Sequence, residues 1–205
     1  MMVYNYNKHY FDNIDSAEKA YWLGFLWADG CLFNSKTHPK HVIFSLHKKD
    51  RLSIKTLLNA LESNHPIRTQ KNKYDRVEFY GADFYDSLFQ KGFEPRKSKL
   101  NRIPKFPSRY DFDFIRGVFD GDGCVYYHQA RNQTCVEIAG NFKIVDYILN
   151  VMQFGTCSRM SLKGTWRWRA SGNQVAKRFA QNIYYDNNII CMKRKREKFK
   201  RFINV

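Results

Sequence analysis

The hydrophobic positions of this chain change period at regular intervals, and the changes mark its elements. An apolar stretch over residues 20–28 carries Gly24 and Ala28 four apart, on one face of a helix. A second, over residues 114–121, carries Gly117 and Gly121 at the same spacing. Small residues so placed form faces on which two helix backbones can approach closely. Each run closes with an acid, a glycine and a cysteine, namely Asp29, Gly30 and Cys31 in the first and Asp122, Gly123 and Cys124 in the second. Asp15 and Glu18 have capping-box spacing before the first helix, Ser108 and Asp111 a looser version before the second, and Gly30 and Gly123 read as helix stops.

Beyond the first run the period drops to two. Residues 31–33 and 41–47 read as a strand pair and residues 50–61 as a helix with Ile54, Leu57, Leu58 and Leu61 inward. Residues 67–70 and 76–80 read as two more strands and residues 82–90 as a helix. The second half repeats this order, with strands at 124–128 and 134–139, a helix at 142–152, strands at 156–161 and 165–171, and helices at 173–182 and 189–202. The expected fold is α+β: two pseudo-symmetric αββαββα halves with antiparallel sheets and the two motif helices packed at the centre. Pro104 and Pro107 separate residues 1–100 from residues 111–205, leaving 101–110 as the linker.

Charge narrows the partner. The 205 residues carry a formal net charge of +16 with 17% aromatic residues, which points to a polyanion and against a disordered basic tail. Five cysteines without CxxC spacing indicate reduced thiols in an intracellular compartment, either cytoplasm and nucleoid or an organelle matrix. No apolar run is long enough for a membrane span. Trp166, Arg167, Trp168 and Arg169 alternate at period two, so one face packs while Arg167 and Arg169 point outward, to solvent or to DNA.

The paired acids carry the candidate chemistry. At a helix C-terminus an acid meets the negative end of the dipole, and two of them side by side repel unless a cation joins them. Carboxylates plus terminal carbonyls, here those of Gly30 and Gly123, suit a hard ion such as Mg²⁺ that keeps waters and takes substrate phosphates. Such a site would hydrolyse phosphodiesters.

Residues 22–30 and 115–123 resemble the two motifs of a single-chain LAGLIDADG homing endonuclease, and the resemblance extends over nearly the whole chain. The first copy departs at Trp27, where the family usually has an acid; Asp120 fills that place in the second. The resemblance implies a site-specific endonuclease that makes staggered cuts in a long, asymmetric double-stranded DNA target as a monomer. It implies Asp29 and Asp122 as catalytic metal ligands for Mg²⁺, with Mn²⁺ substituting and Ca²⁺ supporting binding without cleavage. It also implies a basic residue near each scissile phosphate, for which Lys97 and Lys195 stand at similar distances past their acids. Lys48 and Asn141, at the ends of the second strands, are candidates for the water network. Lys193, Arg194 and Lys198 belong to a run that equally reads as a phosphate-contacting cationic face. The alternative function is an intron RNA maturase or a non-cleaving DNA-binding regulator on the same scaffold.

Overall fold

The computed structural model describes residues 4–95, 102–160 and 164–203. Helix α1 (Ala17–Asp29) begins one residue later than the capping-box spacing suggests. Its cap is Ser16, whose hydroxyl accepts the Lys19 N–H at 3.2 Å. Glu18 accepts instead from the Tyr10 hydroxyl. Residues 20–27 of α1 are all buried, so this helix has no solvent face.

What covers it is mainly α4 (Asp111–Asp122), the second motif helix. The two cross at their glycines. A Cβ on Gly24 would overlap the Phe114 carbonyl, one on Gly117 would overlap the Tyr21 carbonyl, and one on Gly121 would overlap the Ala28 Cβ. Phe114 and Tyr21 each stand three residues before the opposite glycine, so the contact obeys a local two-fold axis. The four small residues read from the spacing therefore form the seam.

Each half adds an antiparallel four-stranded sheet. The first contains β1 (Gly30–Phe33), β2 (His41–His47), β3 (Arg68–Gln70) and β4 (Tyr74–Tyr80) in the order β1-β2-β4-β3. The second contains β5 (Gly123–His128), β6 (Gln133–Gly140), β7 (Thr156–Arg159) and β8 (Trp166–Ser171) in the order β5-β6-β8-β7. Alternation sets the faces. Val42, Phe44, Leu46, Val77 and Phe79 turn inward in the first sheet, and Val136, Ile138, Trp168 and Ala170 in the second. Helices α2 (Arg51–Ala60), α3 (Ala82–Gln90), α5 (Phe142–Met152) and α6 (Asn173–Ile183) cover those inner faces. The opposite faces stay open. The architecture is the α+β pair of halves expected, and among the described residues no helix is long and apolar enough to cross a membrane.

Two local expectations fail for identifiable reasons. Gly30 and Gly123 are not left-handed stops. Both are extended, with φ −80° and −91°, and each helix runs straight into a strand. Glycine is needed there because a Cβ would strike Leu26 or Phe119 one turn back. The helix expected over 189–202 is also absent; the segment holds only α7 (Lys193–Arg196) and a single 3₁₀ turn, Glu197–Phe199. Its backbone groups are engaged elsewhere: Arg116 on α4 donates to the carbonyls of Ile183 (3.1 Å) and Ile190 (2.9 Å), and Asp120 accepts the Met192 N–H at 2.6 Å. From Ile183, the last residue of α6, to Lys195 the chain thus lies as a strap along α4.

Gly117→Ala is expected to destabilise the protein by about 3 kcal/mol or more, because its methyl group would meet backbone rather than a movable side chain. Denaturant unfolding of this variant beside an exposed control such as Asn59→Ala measures the difference.

Candidate active site

The end of the helix seam gathers the acids. Asp29 and Asp122 are the last residues of α1 and α4. Asp29 is half-buried against the partner helix, where a Cβ on Gly121 would lie 2.9 Å from its carboxylate. Asp122 is exposed and lines a cavity of about 220 Å³ together with Trp27, Ala28, Gly140 and Asn141. Each acid is therefore flanked by residues of both halves. Among the described residues no group of three or more His, Cys, Asp and Glu side chains is placed to hold an ion. The donors on offer are two carboxylates and backbone oxygen, a set that fits a hard ion retaining waters and not zinc.

Lys195 enters this end from beneath. Its ammonium donates to the carbonyls of Phe119 (2.6 Å), Asp120 (2.7 Å) and Gly123 (2.7 Å), with Gly121 at 3.3 Å. The side chain is buried, and desolvation lowers its pKa to about 8. Lys195 thereby caps the C-terminus of α4, offsetting the dipole that Asp122 would otherwise face alone. This geometry changes two expectations. The Gly123 carbonyl, proposed as a metal ligand, is already accepting from Lys195. Lys195 itself has its hydrogens committed to backbone, so in this arrangement it positions the helix end and does not reach toward a phosphate.

Arg194, next in the chain, pairs in two-pronged fashion with Asp50 at the start of α2, at 2.6 and 2.9 Å. The pair ties the second half's strap to the first half. Lys193 is exposed, and Lys198 donates to the Val125 carbonyl at 3.1 Å. The basic run is therefore only partly a solvent-facing cationic surface. Lys48 is exposed and reaches Asn72, and the Asn141 side-chain oxygen caps α5 by accepting the Ile144 N–H at 2.9 Å. Asn141 shares the cavity of Asp122; Lys97 lies outside the described residues.

On the second sheet, Arg167 and Arg169 occupy the open face, opposite the fully buried Trp168. They are not simply solvated. Glu137 lies between them, 3.4 Å from Arg167 and 3.3 Å from Arg169, and also accepts the Tyr126 hydroxyl.

No family model matches the chain, and no curated protein matches it in sequence. Solved structures do. The LAGLIDADG meganuclease I-AabMI, bound to uncleaved DNA, is similar with a TM-score of 0.66 at 11% identity, over 91% of this chain and 88% of its own. The homing endonuclease I-LtrWI, bound to target DNA, covers 96% of this chain and 89% of its own with a TM-score of 0.62 at 10% identity. I-GzeII, in complex with its DNA target, gives 0.61 at 10% identity, over 89% and 88% of the two chains. The chain has the LAGLIDADG homing endonuclease fold.

Within this LAGLIDADG fold the departure at Trp27 acquires a physical explanation. Asp120, its counterpart, is buried; one carboxylate oxygen accepts the Met192 N–H at 2.6 Å and the Tyr21 hydroxyl at 2.9 Å, holding strap and α1 together. Trp27 does the corresponding work through an edge-on ring contact with Phe93 at 5.0 Å. One half anchors its following segment by hydrogen bonds and the other by aromatic packing. From the sequence Asp120 was visible only as the acid usual at that motif position, and Arg116 and Tyr21 were not singled out; the available signal was two charged residues four apart inside an apolar helical run.

Burial raises the Asp120 pKa from 3.8 to about 6, with the Met192 N–H and Lys195 opposing the shift. The folded state therefore holds this proton more tightly than the unfolded chain, so the group's contribution falls as pH rises from about 4 to about 6. In Asp120→Asn that titration is gone. The stability of wild type relative to Asp120→Asn is expected to fall across this window and level off above it, as urea titrations at stepped pH would show.

Proposed function

We propose that this protein is a site-specific endonuclease that hydrolyses phosphodiester bonds of double-stranded DNA with divalent-metal help. The observation that carries the reading is the placement of Asp29 and Asp122 together at one end of the helix seam, each followed directly by a strand of a sheet with an open face. Similarity to structures solved with DNA supports it. The net charge of +16 supports a polyanion.

In this reading Asp29 and Asp122 would hold Mg²⁺, or Mn²⁺ in its place, which would supply positive charge at the scissile phosphate and a more acidic water. The chain's own residues fix the geometry. The glycine seam sets how close the two carboxylates stand, and Lys195 holds the α4 end so that Asp122 cannot drift. Asn141, in the cavity of Asp122, orders water by hydrogen bonding. Lys97 serves the first half by resemblance. The products are 5′ phosphates and 3′ hydroxyls, staggered across the minor groove.

The two open faces lie along two major-groove stretches of a long, asymmetric target, and one chain suffices for both strands because both halves are present. A regulator or maturase on the same scaffold has no use for two carboxylates beside a polyanion, which favours the nuclease.

The test is cleavage of a randomised duplex library in Mg²⁺. Wild type is expected to enrich one site with staggered ends. Asp29→Asn and Asp122→Asn should each reduce double-strand cleavage by at least about a hundredfold while binding in Ca²⁺ stays near wild type. Lys97→Ala should slow cleavage more than it weakens binding. Undiminished cleavage by the double Asn variant would overturn the metal assignment.

A further inference from the structure

The register of the two sheets brings out an equivalence that the sequence does not display. In the first sheet Gly30 pairs with Phe44, so Ser45, the next residue of β2, stands level with Asp29; its partner on β4 is Arg76. In the second sheet Gly123 pairs with Ile138, so Ala139 stands level with Asp122; its partner on β8 is Arg167. Arg76 and Arg167 thus occupy the same place relative to the two acids, on the open faces, at the rung nearest the helix ends.

Each has a glutamate beside it. Glu78, two residues along β4, lies 2.7 Å from Arg76 Nε and accepts the Tyr80 hydroxyl at 2.6 Å. Glu137, on β6, contacts Arg167 with both oxygens and accepts the Tyr126 hydroxyl at 3.0 Å. Both glutamates stand on the rung of the motif cysteine, since Cys31 pairs through Ile43 to Glu78 and Cys124 pairs directly with Glu137. The sequences differ, for the glutamate comes from the same strand in one half and the neighbouring strand in the other. In each half Arg, Glu and Tyr occupy three successive outward-facing rungs counted from the acid, although the strand position matching Glu78 is filled by Arg169, which Glu137 also contacts at 3.3 Å. Among the described residues these are the only glutamates on the two open faces.

An acid on a surface that faces a polyanion opposes binding, so its presence twice at one rung calls for a compensating role. A carboxylate held against a guanidinium removes rotamer freedom before binding, and the nitrogens it does not engage remain donors. Two such donors match the O6 and N7 acceptors of guanine in the major groove. We propose that Arg76 and Arg167 are a symmetry-related pair of base-reading residues, each aimed by its glutamate, that recognise guanines at matched distances on either side of the cut. The inference rests on the open faces being the DNA-reading surface and names what they read; it does not require cleavage.

The test is selection of bound duplexes from a randomised library in Ca²⁺, with cleavage in Mg²⁺ followed in parallel. Wild type is expected to enrich guanine at two positions equidistant from the centre. Glu137→Gln should lose roughly tenfold or more of the discrimination at one of them alone, and Glu78→Gln the same at the other. Arg167→Ala should abolish preference at the position that Glu137→Gln relaxes. The glutamine variants keep size and hydrogen-bonding capacity, and unfolding curves check that they fold. Total affinity for random duplex should hold steady or rise in both, since a negative charge has been removed, whereas lost packing alone would lower it. If the selection recovers the guanines but no duplex is cut, the nuclease reading fails and this one stands. A wild-type site lacking the matched guanines, or glutamine variants with the wild-type base profile, would overturn the pairing.

Discussion

Everything in this molecule depends on two helix backbones touching. Gly24 against the Phe114 carbonyl and Gly117 against the Tyr21 carbonyl leave no room for a side chain on either helix at the crossing. That approach brings Asp29 and Asp122 to one end and aims a sheet outward from each. Because the contact is made by main chain, its distance is set by van der Waals contact between backbones and does not depend on side-chain rotamers, which suits a site that needs carboxylates held at a fixed separation.

Closing the helices creates an electrostatic problem that the fold resolves from within. Two acids at two helix C-termini add like charge to the negative ends of two dipoles. Lys195 answers this for α4 by donating to the Phe119 and Asp120 carbonyls in its last turn and to Gly123 just beyond it, and the strap that carries Lys195 is itself held down by Arg116 and Asp120. The result is a chain of dependence from α4 to the strap and back to α4. Arg194 extends it across the seam to Asp50, so one basic run serves as structural mortar and leaves a smaller part exposed.

Much of this was legible in the sequence, and the reasons are physical. The repeated small-residue spacing and terminal acids announced the helix pair, and period-two alternation announced strands such as Trp166–Ser171 with its buried Trp168. What escaped depends on partners far along the chain. The helical periodicity of residues 189–202 gave way because Arg116 and Asp120 take the strap's backbone groups. Gly30 and Gly123 looked like turn residues, and only the course of the chain reveals that they make room for Leu26 and Phe119. The roles of Glu78 and Glu137 hinge on strand register, which sequence alone leaves open.

The seam also governs how the chain reaches its fold. Residues 20–27 are buried on every side only once α4 has docked, and the two motif acids stand 93 residues apart in sequence. During synthesis the first sheet and its helices can form locally, while α1 waits with an apolar flank uncovered until the second half has emerged. A loop of this length is costly to close, and the reward arrives only when both glycine faces meet. The repeat that looks like two independent units on paper therefore behaves as one cooperative folding event, with the central helix of the first half as its last unsatisfied surface.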